Sequence, residues 1–148
     1  MFFLSILSKI NRAMIQRIQS IYLLLAALSV LLVSWFFPLF NVNDSGVQLI
    51  DEPVFFGGFV FSGIISLFSI FRYKNRQQQV VSGRINIIIN FITFGFMLYY
   101  VYAGGGEETN IQLGISAFLP VLAVIFIAMA NRAIMRDEAL VRAADRFR

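Results

Sequence analysis

Between residues 72 and 84, four basic side chains (Arg72, Lys74, Arg76 and Arg84) separate two long runs that contain no Asp, Glu, Lys or Arg. Two further runs of the same kind flank them. The charge-free segments are residues 20–40, 54–71, 85–102 and 111–130. Length decides how such runs are read. About 20 apolar residues in a helix span the roughly 30 Å hydrocarbon core of a bilayer, whereas about 10–14 make a core helix of a soluble domain. All four runs reach the longer class. Composition agrees: of 148 residues, 59% are hydrophobic and 14% charged, where a soluble domain has about a quarter charged.

The edges of the runs carry interfacial markers. Tyr22 opens the first, and Trp35, Phe36 and Phe37 close it, as aromatic belts do. Pro38 loosens its last turn. The run is too long for a secretory signal and lacks a small-x-small cleavage site, so a retained helix is expected. Residues 41–52 form a polar loop with Asp44, Asp51 and Glu52. Asp44-Ser45-Gly46 reads as a turn between short apolar flanks, consistent with a small hairpin. Pro53 suits a first helical position. Tyr99, Tyr100 and Tyr102 close the third run, Gly104-Gly105-Gly106 stops it, and Glu107 and Glu108 sit in the turn. Pro120 lies inside the fourth run. Its ring is expected to free the Ser116 carbonyl and bend the helix.

The twelve Lys and Arg lie before the first run, between the second and third, and after the fourth. The two other loops hold only acids. Basic residues in short loops mark the cytoplasmic side, so both termini are expected there. The predicted class is all-α: an integral membrane protein, an antiparallel bundle of four transmembrane helices with a cytoplasmic C-terminal helical extension. Residues 14–130 make the transmembrane domain and residues 131–148 a charged tail helix, with Glu138 and Arg142 placed as a favourable i, i+4 pair. In residues 1–13, Phe3, Leu7 and Ile10 begin a helical stripe that Met14 and Ile18 continue, with Lys9, Arg12 and Gln16 off it. Two readings apply: a basic amphipathic helix on the membrane surface, or an extension preceding a start at Met14.

The runs carry ordered polar faces. Gly58, Ser62, Ser66 and Ser69 share one stripe of the second, opposite Val60, Ile64, Leu67, Phe68 and Phe71. Asn86, Asn90, Thr93, Met97 and Tyr100 share one stripe of the third. Small residues four apart admit close helix approach, and amides bridge helices. An amide left alone in hydrocarbon is costly, so these stripes are expected to pack on each other as helix–helix polar contacts. The alternative is a polar groove for a small ligand or headgroup. Leu113, Ala117, Pro120, Val124, Ala128 and Asn131 share a face of the fourth run; its small residues either meet protein or reflect ordinary alanine usage.

Function is bounded mostly by exclusion. With no Cys and no His, thiolate chemistry and nearly all zinc, copper and haem ligation are absent, and no cofactor is expected. No Asp, Glu, Lys or Arg lies within a run, which argues against a pump or proton relay acting alone. An enzyme would have to draw on loop carboxylates such as Asp44, Asp51 and Glu52, which read as an ordinary solvated face, or on Tyr hydroxyls. Arg132, Arg136, Arg142, Arg146 and Arg148 form a basic tail suited to membrane lipid or a protein partner. Asp137, Glu138 and Asp145 interrupt its field, so no nucleic acid is expected. A non-enzymatic scaffold or accessory subunit, self-associating or bound to another protein, is the leading expectation. A small oligomeric channel or transporter using the Asn/Ser/Thr faces is the alternative.

Three stretches also carry a resemblance: MIQRIQSIYLLLA from Met14, RYKNRQQQ from Arg72 with GRINIIIN after it, and ANRAIMRDEALVRAADRFR from Ala130. They resemble the bacterial proteins of domain of unknown function 4293, from the Bacteroidota, from Met14 to the end. The resemblance implies a four-span inner-membrane protein. It implies no activity, cofactor or catalytic residue.

Overall fold

A computed structural model describes residues 2–104 and 110–146, with side chains throughout except at residues 2, 4, 7–16 and 104. Gly105, Gly106, Glu107, Glu108 and Arg148 lie outside the described residues, as do the side chains of Leu7, Lys9, Ile10, Arg12, Met14 and Gln16. The described chain is mostly helical. Helix α1 (Phe2–Leu28) continues through a π turn at Ser29–Val33 into the short α2 (Ser34–Phe36). Helices α3 (Pro53–Phe71), α4 (Arg76–Gly104) and α5 (Leu119–Arg146) follow. Segments Arg17–Phe36, Pro53–Phe71, Arg76–Ala103 and Ile115–Arg146 are each long and apolar enough to cross a membrane. Even α3, the shortest at 19 residues, reaches about 28 Å at about 1.5 Å per residue.

Residues 2–13 continue α1 without a break rather than forming a helix of their own. The helix stops at Phe36. Phe37 is extended (φ −121°, ψ 145°), because a proline's Cδ disfavours helical backbone in the residue before it. The stretch between the second and third runs is mostly helix, not loop. Only residues 72–75 separate α3 from α4. Asn75 caps α4, its Oδ1 accepting from the Gln78 backbone N–H at 3.3 Å, which ties down a free amide of the first turn.

An all-α chain was expected, but three short strands are present: β1 (Phe40–Val42), β2 (Ser45–Val47) and β3 (Ile111–Leu113), in the order β2-β1-β3. Both pairings are antiparallel, with Asn41 opposite Gly46 on one side and Gln112 on the other. The hairpin turn is Asn43-Asp44, one residue earlier than the Asp-Ser-Gly signal suggests. Both residues have positive φ (49° and 66°), the left-handed conformation that two-residue hairpins need and that Asn and Asp tolerate. Asn43 then joins the loops. Its N–H donates to the Asn110 carbonyl, and its Oδ1 accepts from the Asn110 N–H, both at 3.1 Å.

The strand at Ile111–Leu113 and a 3₁₀ turn at Ile115–Phe118 delay the fourth helix to Leu119. Pro120 is therefore its second residue, where no intrahelical N–H bond is lost. The expected bend has no cause. The buried face of α5 shifts accordingly. Ala123, Ile127, Ala130 and Ile134 are buried together with Pro120 and Asn131, whereas Val124 is half-buried and Ala128 exposed.

The long helices pack in a ring: α1 on α3, α3 on α4, α4 on α5, α5 on α1. Near the sheet the core is apolar, built from Ala26, Val30, Phe40, Phe55, Phe59, Met97 and Ile127. Phe40, Phe55 and Tyr100 stack there with centroids 5.2–5.8 Å apart. Outward faces are apolar too: Leu24, Ile64, Phe68, Ile88, Phe91 and Phe96 are all exposed. Apolar surface this extensive belongs against lipid or protein, not water.

Candidate functional site

The polar residues of α3 and α4 meet in one seam. The Asn86 amide donates to the Ser62 carbonyl (3.1 Å) and to Ser66 Oγ (2.8 Å). The Asn90 amide donates to Ser62 Oγ (2.7 Å), and back to the Asn86 carbonyl and Oδ1 (2.8 and 3.1 Å). Partners descend along α3 as they climb along α4. Ser69 and Ser82 share a bond of 2.7 Å at one end. At the other, a Cβ on Gly58 would lie 2.8 Å from Thr93 Oγ1, while Thr93 bonds to its own helix at the Ile89 carbonyl. Ser62, Ser66, Ser69, Asn86 and Asn90 are all at most 2% exposed. Each of these five side chains makes at least one hydrogen bond within the seam, which fits helix–helix contact better than a ligand groove.

Ser82 was missed from the sequence. It lies on the Asn86–Asn90 stripe one turn earlier, and starting the helix at Arg76 instead of residue 85 would have included it. Asn86→Ala with Asn90→Ala is expected to cost about 2 kcal/mol, since three interhelical bonds are lost at roughly 0.6 kcal/mol each. The measure is the midpoint of unfolding by sodium dodecyl sulfate, followed by the fluorescence of the sole tryptophan, Trp35. An unchanged midpoint would show that packing alone joins α3 to α4.

A second polar cluster closes the end of the ring away from the sheet. Gln19, Gln79, Asn131 and Asp137 are buried there, continuing the core-facing stripes of α1, α4 and α5. Arg76 Nη2 and Asp137 Oδ2 pair at 2.8 Å, with side-chain exposures of 29% and 7%. Gly83 lets α4 approach α5: a Cβ there would lie 2.3 Å from Asn131 Oδ1. Gln19 Nε2, Gln79 Oε1 and Asn131 Oδ1 have no hydrogen-bond partner among the described residues.

The tail arginines divide. Arg142 pairs with Glu138 at 2.6 Å. Arg132, Arg136 and Arg146 are exposed. At the sheet end, Asp44 occupies the hairpin turn. Asp51 Oδ2 accepts the Gln48 N–H at 3.3 Å, and Glu52 accepts the Tyr100 hydroxyl at 3.3 Å. These carboxylates serve a turn, a cap and an aromatic cluster. Among the described residues no cluster of acidic side chains is placed to hold a metal ion.

No curated protein and no solved structure matches the chain. Residues 15–147, nearly the whole chain, match the family described as Domain of unknown function (DUF4293), and the chain belongs to that family.

Proposed function

We propose that the protein is a multi-pass component of a bacterial inner membrane, an antiparallel four-helix bundle with both termini cytoplasmic. In this reading it acts as a non-enzymatic scaffold or accessory subunit. The sheet, with Asp44, Asp51 and Glu52, faces outward, and residues 72–75 and the α5 tail face the cytoplasm. Charge supports that orientation, because Lys and Arg in short loops are retained on the cytoplasmic side. The chain has no cysteine, so single introduced cysteines report topology cleanly. Ser45→Cys is expected to react with an impermeant maleimide added to intact spheroplasts, and Lys74→Cys only after lysis. The reverse pattern inverts the proposed threading.

One observation carries the scaffold reading. α5 runs unbroken to Arg146, so a rigid charged rod extends beyond the apolar segment and displays Arg146. Meanwhile the interior Asn86 and Asn90 amides of α4 are engaged with Ser62 and Ser66 of α3. A channel needs polar groups free to replace water around a solute, whereas each buried Ser and Asn side chain of that seam is already bonded within it. A photocrosslinking residue at Arg146 is expected to trap a second protein in native membranes. Recovery of the protein alone, together with solute flux through liposomes that Asn90→Leu abolishes, would replace the scaffold with a channel.

A further inference from the structure

An open groove of about 440 Å³ runs between α1 and α5 at the end away from the sheet. Its apolar wall is Ile18, Tyr22, Met129 and Leu140, and Arg132 and Arg136 stand along it. We propose that this groove binds one anionic phospholipid, with the phosphate between the two guanidinium groups and part of an acyl chain along the apolar wall. The inference rests on the membrane reading above, which puts this part of α5 at the cytoplasmic interface.

The charge balance points to an anion. Arg132 and Arg136 are one helical turn apart, so both reach the same point beside the groove. The acids next to them in sequence are already engaged. Asp137, which also lines the groove, is held by Arg76 at 2.8 Å, and Glu138 is held by Arg142 at 2.6 Å. Neither Arg132 nor Arg136 has an ion-pair partner among the described residues. Two uncompensated cations therefore border a surface whose other residues are water-averse: Ile18, Met129 and Leu140 are 47%, 42% and 57% exposed. Cations beside an exposed hydrocarbon wall match a molecule that is anionic at one end and apolar at the other. The volume sits low in the roughly 300–1,000 Å³ range of small-ligand clefts, which suits part of one lipid. Guanidinium groups take phosphate oxygens in a fork that an ammonium cannot reproduce.

The test uses the full chain in nanodiscs of equimolar phosphatidylglycerol and phosphatidylcholine, with retained lipid counted by native mass spectrometry. Phosphatidylglycerol is expected to be enriched. Each basic side chain near a membrane surface contributes roughly a fivefold preference, so Arg132→Gln with Arg136→Gln is expected to cut the enrichment by roughly 25-fold. Arg142→Gln, which removes a charge paired with Glu138, is expected to preserve it. Equal retention of the two lipids, an equal loss in Arg142→Gln, or displacement of the lipid by millimolar inorganic phosphate would overturn the site. Alkaline carbonate separates the two levels of the argument. A chain stripped from vesicles removes the membrane reading and this site with it. A chain that stays embedded but shows no preference overturns this site alone.

Discussion

Arg76→Met is expected to destabilise the protein by about 3 kcal/mol, while Asp137→Asn is expected to cost about 1 kcal/mol, because breaking a buried pair is expensive mainly through the charge left behind. The two partners differ in burial. Asp137 is 7% exposed and Arg76 29%. Without the guanidinium, Asp137 loses its ion-pair partner at a buried position, on the same stripe of α5 as Ala130 and Ile134. Without the carboxylate, Arg76 is at the first turn of α4 and can swing its long side chain to solvent. Methionine retains most of the stem's packing, so the comparison isolates charge. Unfolding midpoints in sodium dodecyl sulfate, read from Trp35, measure both variants. Equal losses would mean that the bridge acts through packing and that the asymmetry argument is wrong.

Gly114→Val is expected to cost about 3 kcal/mol or more, at the upper end of what overpacking does. The reason is a close approach of backbone to backbone. A Cβ on Gly114 would lie 2.2 Å from the Pro38 carbonyl oxygen and 2.9 Å from the Leu39 carbonyl carbon. A backbone cannot rotate away as a side chain can. The same corner is knitted by the Gly114 N–H to the Leu39 carbonyl at 2.8 Å and by Ser116 Oγ to the Phe37 carbonyl at 2.6 Å. Forcing it open separates β3 from β1 and releases the start of α5 from the end of α2. Hydrogen exchange is expected to speed up at Phe40–Val42 and Ile111–Leu113 while the α3–α4 seam stays protected. Gly95→Val is the control: a Cβ there meets nothing within 4 Å, so only a small helix-propensity effect remains. A similar loss at both positions would count against the close-approach argument.

Much of the α3–α4 seam was legible before any coordinates. Ser62, Ser66 and Ser69 recur at helical spacing, as do Asn86 and Asn90, and a buried amide must find a polar partner. Period and chemistry together left few choices of contact face. Ser82 and the first two turns of α4 were hidden because Gln77, Gln78 and Gln79 read as loop by polarity, although they are good helix formers. The strand at Ile111–Leu113 was hidden for the opposite reason. Three apolar-flanked residues leading into a long apolar helix look like its first turn. Only a partner 70 residues away at Phe40–Val42 makes them a strand.

Local rules written along the chain were enough for the four long apolar helices, their polar stripes, the hairpin near Asp44 and the sorting of basic from acidic segments. Each depends on residues a few positions apart, where 3.6-residue periodicity, turn chemistry and charge spacing act directly. Tertiary structure alone decided the ring order α1–α3–α4–α5, the third strand, the approach of Gly83 to Asn131 and the pairing of Arg76 with Asp137. These contacts join segments far apart in sequence. Which one forms depends on the register and rotation of whole helices, and those are set by the sum of packing across every face at once.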